Sequence, residues 1–165
     1  MKEISYKDLN ENTFDMIGKD WLLLTAEKDG KVNTMTASWG GVGILWNKKV
    51  AYIFVRPQRY TKEFIDSNEK LSISVLPNEY RKELQYLGTV SGRDEDKIAK
   101  ASLTVQNCDN VPYFEESRLT FICKKLYAQQ LKEECFIDES IIDTSYPNKD
   151  YHMMYVVEIE KILEK

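Results

Sequence analysis

Trp21-Leu22-Leu23-Leu24-Thr25-Ala26, then Asp29-Gly30, then Val32-Asn33-Thr34-Met35-Thr36-Ala37-Ser38-Trp39 is the stretch on which the fold turns. The first run is apolar and short, with the length of a buried strand rather than a helix. Asp-Gly is the dipeptide that a tight type I′ hairpin prefers, because both of its central positions need positive φ. Val32 to Trp39 is then the returning strand, rich in Thr and Met and running into Gly40-Gly41-Val42-Gly43. An antiparallel hairpin this close to the N-terminus makes a β fold the working expectation.

Working outward, Lys49 to Val55 is a third strand, ended by Arg56-Pro57, since proline cannot donate to a sheet ladder. From Thr61 to Asn68 the period lengthens and Thr61 is a credible N-cap, which predicts a short helix. Leu71-Ser72-Ile73-Ser74-Val75 alternates strictly and predicts a half-buried strand. Glu79 to Leu87 is expected to be helical with Gly88 as its C-cap. Ser91-Gly92-Arg93-Asp94 has capping-box form and is expected to open a second helix reaching Ala101. Arg118 to Leu131 and the run from Tyr151 supply two more strands. Many strands with short helices between them predict a mainly β fold, a closed or split antiparallel barrel. No Gly-x-Gly-x-x-Gly leads from a strand into a helix, so the dinucleotide fingerprint is absent.

Composition narrows the chemistry. The 165 residues carry 23 basic and 27 acidic side chains, a net charge of −4, which argues against a nucleic-acid binder. The length suits a single domain spanning residues 1–165. One histidine and three scattered cysteines cannot build a His-rich zinc site, so no metal is expected. Any Ser-His or Cys-His catalysis would have to pass through His152. Unpaired cysteines at Cys108, Cys123 and Cys135 and no signal-like segment predict a cytoplasmic protein with free, structural thiols. The longest purely apolar run is four residues, Trp21 to Leu24, so no membrane span is expected.

Three segments carry the polar groups of a ligand site. Val55-Arg56-Pro57-Gln58-Arg59-Tyr60-Thr61 places two of the chain's five arginines three residues apart before a helix start. Guanidinium forks match phosphate oxygens, and a helix N-terminus offers free N–H groups. The bland alternative is a solvated turn. Asn33 to Gly41 offers an amide, hydroxyls and the face of Trp39 on a strand ending in glycines, which let a flat ligand approach the backbone. Its bland alternative is an outward-facing barrel strand. Ser91-Gly92-Arg93-Asp94-Glu95-Asp96-Lys97 combines exposed backbone donors with a lysine one turn into a helix, or is simply a capped helix. His152 is either a buried structural residue or a group that orients a ligand and donates a proton near neutral pH.

The order Asn-x-Met-Thr-Ala-Ser-Trp-Gly-Gly, Val-Arg-Pro-Gln-Arg-Tyr-Thr-Lys-Glu-Phe and Ser-Gly-Arg-Asp-x-Asp-Lys is similar to the flavin reductase-like family, and more narrowly to its flavoredoxin-type members. The resemblance runs from about Trp21 to Leu163 and implies the FMN-binding split-barrel fold. It further implies a homodimer with FMN near the interface. Met35, Thr36, Ala37, Ser38 and Trp39 would lie along the isoalloxazine and ribityl, with Asn33 and Trp39 flanking the ring. Arg56, Arg59, Tyr60 and Thr61 would hold the phosphate and ribityl, Ser91 and Gly92 would approach the phosphate, and Lys97 would reach the ring. His152 would neighbour the flavin's open face. The function implied is FMN-dependent oxidoreduction, with NADH or NADPH as a transient co-substrate and an unknown electron acceptor. An FMN electron carrier that does not turn over nicotinamide, and a ligand-binding barrel without flavin, remain alternatives.

Overall fold

The computed structural model describes all 165 residues. In chain order the elements are β1 (Lys2–Ile4), α1 (Thr13–Asp15) continuing as a π-helical turn (Met16–Asp20), β2 (Leu22–Lys28), β3 (Lys31–Ala37), β4 (Gly40–Leu45), β5 (Lys48–Val55), α2 (Thr61–Ser67) and β6 (Lys70–Val75). They continue with α3 (Arg81–Thr89), α4 (Lys97–Lys100), β7 (Val105–Cys108), β8 (Val111–Phe114), β9 (Leu119–Gln130), α5 (Ser140–Ser145) and β10 (Met153–Glu164).

Seven strands pair in the order β3-β2-β6-β9-β10-β5-β4, every pair antiparallel, and β1 adds to β10. The two ends of that order, β3 and β4, are consecutive in the chain and joined only by Ser38 and Trp39. A two-residue joint brings the outer edges of the sheet to one corner, so the sheet curls into a barrel. No ladder links β3 to β4, and the barrel is split there. β10 holds the opposite wall: along its length it pairs with β9, while Met153 to Glu158 pair with β5 and Ile162 to Glu164 with β1. Two register shifts in the β9–β10 ladder, after Val156 and after Ile159, give these long strands their bend.

Inside the barrel, Leu22, Leu24 and Ala26 of β2 meet Met35, Val55, Ile73, Phe121, Tyr155 and Val157 in one core cluster. Leu23 points the other way, into a second cluster with Leu84 and Leu87 of α3 and Ile98 and Ala101 near α4. β2 is therefore covered on both faces, which is why it reads as an unbroken apolar run. The same covering alters β6. Ser72 and Ser74 are buried rather than facing water: Ser72 Oγ donates to Pro112 O at 2.5 Å and Ser74 Oγ shares a 3.0 Å hydrogen bond with Thr120 Oγ1. The β7–β8 hairpin, absent from the sequence reading, supplies that lid.

The hairpin at Asp29-Gly30 forms as expected, with φ of 52° and 76° at those residues. Three helix boundaries differ from expectation. Tyr60, not Thr61, precedes α2, and the Thr61 side chain is buried and hydrogen-bonded to Asn33 instead of capping. α3 runs through Gly88 to Thr89; glycine is needed there because a Cβ would stand 3.2 Å from Thr36 Cβ on β3. α4 starts at Lys97 with Asp96 as its cap, while Ser91 only turns its own loop by accepting from Arg93 N. β4 (Gly40–Leu45), an edge strand, forms where the sequence pattern offered only the glycine cluster that follows β3. Of the three cysteines, Cys123 is buried as expected, Cys108 half-buried and Cys135 exposed, all as free thiols.

The corner depends on Gly40, where a Cβ would lie 2.6 Å from the Tyr52 carbonyl oxygen of the neighbouring strand. Gly40→Ala is expected to lower unfolding stability by ~1–3 kcal/mol. Gly43→Ala, which meets nothing within 4 Å, should leave the urea midpoint close to the original.

Candidate functional site

Two cavities meet at the split corner. The larger, of about 280 Å³, is lined by Met35 to Trp39, Phe54, Arg56, Arg59, Gly88 and His152. The smaller, of about 180 Å³, is lined by Gln58 to Thr61, Thr89 to Gly92 and Lys97. Arg59 lines both, so they form two compartments of one site. The backbone of β3 runs along the larger one with one edge free of ladder partners, because β3 ends the sheet. α3 is held against that strand by Thr36 Oγ1, which donates to Leu84 O at 2.5 Å.

The smaller compartment is strongly cationic. Lys97 is only 3% exposed, and its Nζ donates to Leu87 O (2.8 Å) and Val90 O (2.9 Å). Arg59 Nη1 donates to Gly88 O at 2.6 Å. These carbonyls belong to the C-terminal end of α3, which left bare would repel an anion. Here each is occupied by a cation that keeps further N–H groups to donate. Burial, and then the nearby Arg59 charge, pull the Lys97 pKa from 10.5 down to about 8. Burial also lowers Arg59. No carboxylate pairs with either residue. Thr61 Oγ1 accepts from Asn33 Nδ2 at 3.0 Å, which leaves the hydroxyl hydrogen free to donate into the cavity. Gly92 packs so closely on Asn33 that a Cβ would fall 2.3 Å from its Oδ1. A buried lysine and a half-buried arginine, neither paired with a carboxylate, give this small hole a positive lining suited to an anion.

The family model for the flavin reductase like domain matches residues 17–163 of the chain. The chain belongs to the flavin reductase-like family. Among solved structures it is similar to the flavoredoxin of Methanosarcina acetivorans (23% identity, TM-score 0.69), covering 100% of this chain and 76% of that one. It is similar to the flavoredoxin of Desulfovibrio vulgaris (Miyazaki F) at 21% identity and TM-score 0.69, covering 100% and 76%. It also resembles an FMN-binding domain of a flavin reductase-like enzyme from Shewanella baltica, with 14% identity, TM-score 0.71 and coverage of 98% and 75%. These likenesses establish the split-barrel fold. No curated protein matches the sequence.

Within this family member the residues singled out from the sequence divide between the compartments in an unexpected way. Met35, Thr36, Ala37, Ser38, Trp39 and His152 line the larger one, and Tyr60, Thr61, Ser91 and Gly92 the smaller. Arg56 and Arg59 both line the larger compartment, but only Arg59 also reaches the smaller. A turn closed by Arg59 N donating to Arg56 O (3.1 Å) sends their side chains apart, and Arg56 lines only the larger compartment, paired with Asp150 at 2.6 Å. Lys97 lies with Ser91 and Thr61 in the smaller compartment rather than beside Trp39. Asn33 lies beneath Thr61 and Gly92, lining neither compartment, and does not flank Trp39. Arg93 pairs with Glu63 and stacks over Tyr60, 4.5 Å from its centroid. Phe54, Gly88, Gln58, Thr89 and Val90 were not anticipated. Phe54 had a signal, since on β5 it alternates with the core residues Ile53 and Val55.

His152 stands 5.1 Å from Trp39 and 6.5 Å from Phe54, ring to ring, with Nδ1 hydrogen-bonded to the Tyr146 hydroxyl at 2.8 Å. Burial first, then the Arg56 charge, depress its pKa from 6.5 to about 4, against an opposing pull from Asp150. Burial thus favours an uncharged ring at neutral pH. The unfolded chain protonates this ring near 6.5 and the folded chain only near 4, so stability is complete above pH 6.5 and is lost as pH falls toward 4. Urea unfolding between pH 7 and about 4 should show a steeper loss for the native chain than for His152→Gln.

Proposed function

We propose that this chain binds FMN and uses it to pass electrons from NADH or NADPH to a second acceptor. The observation that carries this reading is the pair of cations without carboxylate partners, buried Lys97 and half-buried Arg59, lining the smaller compartment. Through Arg59 that compartment continues into a larger one walled in part by Trp39, Phe54 and His152. The residues present fit the cofactor: a phosphate would satisfy Arg59, Lys97 and the Thr61 hydroxyl, all of which line the smaller compartment. A dinucleotide's diphosphate has no matching glycine-rich turn in the chain.

When bound, the flavin supplies the redox chemistry, taking up a hydride equivalent and giving up electrons. The chain's own residues bind and orient. Arg59 and Lys97 neutralise the phosphate, β3 from Met35 to Ala37 offers unpaired backbone groups along one edge, and Trp39 and Phe54 supply apolar walls to the larger compartment.

Titrating the purified chain should yield an FMN-loaded yellow protein, with riboflavin, which lacks the phosphate, bound more weakly. Arg59→Gln and Lys97→Met should each weaken FMN by about tenfold or more, as expected for a charge-assisted contact of 1.5–3 kcal/mol. FMN affinity should fall as pH rises past about 8, where Lys97 loses its proton, and Lys97→Met should flatten that dependence. Failure to take up FMN would remove the proposal. Anaerobic NADH or NADPH is expected to bleach the flavin band. An unbleached, FMN-loaded protein would instead be an electron carrier.

The same reading makes the chain a homodimer. The exposed edge strand β4 and its surroundings present Trp39, Ile44, Trp46 and Tyr127 to solvent beside the site. Light scattering is expected to give twice the chain mass, and a monomer mass would refute this.

A further inference from the structure

Residues 131–152 leave β9, pass through α5 and return to β10, and they wall the larger compartment through His152. Leu131 N donates to His152 O at the base, and the Gln130 side chain donates to Tyr151 O. Beyond those strand ends, the polar attachment of this segment to the barrel runs through two side chains. Arg56 Nη1 pairs with Asp150 Oδ2 at 2.6 Å, Arg56 Nη2 donates to Ser145 O at 2.9 Å, and its guanidinium lies 5.2 Å from the centre of the Tyr146 ring. Gln58 Nε2 donates to the same Asp150 oxygen at 2.7 Å. Tyr146 in turn holds His152, which packs on Trp39. The rest of the segment packs on itself, with Phe136, Tyr146 and Tyr151 clustered at centroid distances of 5.0 to 5.8 Å. Its outer side is loosely held: Ile137 is fully exposed and Ile141 is exposed. Six carboxylates against two lysines over residues 132–150 give it −4, as much as the net charge of the whole chain. Little besides Arg56 and Gln58 pins it to the barrel.

We propose that Arg56 is a positioning residue that, with Asp150, latches segment 131–152 against the barrel, so that Tyr146 and His152 form a fixed wall selecting the flat second substrate that enters beside Trp39. The substrate clause rests on the FMN reading above; the latch itself does not. The pairing explains why two arginines three residues apart do different work: Arg59 faces the anion compartment and Arg56 secures the wall opposite.

The single histidine makes the latch directly observable, because one imidazole proton resonance reports on it. The groups that bear on this ring are Arg56, which lowers its pKa, Asp150, which raises it, and the Tyr146 hydroxyl bonded to Nδ1. Asp150→Asn removes the only charge that raises the pKa. With the segment still seated, the midpoint would therefore stay near 4 or fall. With the latch released, the ring meets water and the midpoint climbs toward 6.5. We expect the climb, and the same climb without further addition in the Arg56→Gln/Asp150→Asn double variant, as coupled partners require. A midpoint at or below the native value in Asp150→Asn overturns the latch.

With the FMN-loaded protein, Asp150→Asn should raise the NADH KM about tenfold while leaving FMN affinity within about threefold, a split expected of a substrate wall rather than a cofactor ligand. Arg56→Lys, which keeps the charge pair, should recover part of the loss. If Arg56→Gln weakens FMN as much as Arg59→Gln does while the Asp150→Asn midpoint does not climb, Arg56 is a phosphate ligand and the proposal fails. Absence of FMN binding by the native chain would refute the FMN reading, and the histidine titration would still decide the latch.

Discussion

The two-residue joint of Ser38 and Trp39 is the constraint on which the rest depends. β3 and β4 end the strand order, yet the chain allows their near ends to be separated by only those two residues. The sheet must curl to satisfy that, and the curl encloses Leu24, Val55, Phe121 and Tyr155 in a core that no flat sheet of these strands would bury. The strands meet without pairing, so backbone groups along the β3 edge stay available. Ordinarily such an edge invites aggregation. Here it is partly covered by α3, through the Gly88–Thr36 contact, and otherwise faces the larger compartment. Fold closure and site formation are thus consequences of one short connection.

The site also holds an unfavourable charge arrangement. Buried Lys97 and half-buried Arg59 lie near each other with carbonyls, not carboxylates, as partners. Between pH about 8 and 10.5 the unfolded chain holds the Lys97 proton more often than the folded one, so the empty protein gains stability as pH rises through that window. An anionic ligand reverses the preference by favouring the charged lysine. Binding is therefore linked to folding: ligand held only by the native chain at free concentration L adds stability that grows as RT ln(1 + L/Kd). A chain that keeps two cations in this position trades empty-state stability for affinity.

Much of this was legible in the sequence because it was local. The Asp29-Gly30 turn, the apolar run at Leu22 to Ala26 and the long strands of residues 119–130 and 153–164 follow from turn chemistry and periodicity. What escaped was set by neighbours distant in sequence. Ser72 and Ser74 alternate like solvent-facing residues but lie under β8, where a carbonyl and a threonine satisfy them. Gly88 resembles a helix terminator and is instead the point where α3 touches β3. Lys97 was recognised as a site residue, but its grouping with Thr61 and Ser91 rather than with Trp39 depends on where α4 docks.

The two arginines show the same limit within a single motif. Two guanidiniums three residues apart, just before a helix start, are what made a shared phosphate site attractive. The chain instead turns between them, as Pro57 favours by fixing φ and removing a donor. Once the turn is in place, burial selects the roles. Arg59 lies among carbonyls and keeps an unpaired charge for a ligand. Arg56 finds Asp150 across the split and becomes part of the wall that keeps His152 dry and neutral. The histidine's low pKa is thus a product of the second arginine as well as of burial. A chain with one histidine and no paired thiols can then serve redox chemistry by shaping a pocket, because the reacting group comes with the ligand rather than with a side chain.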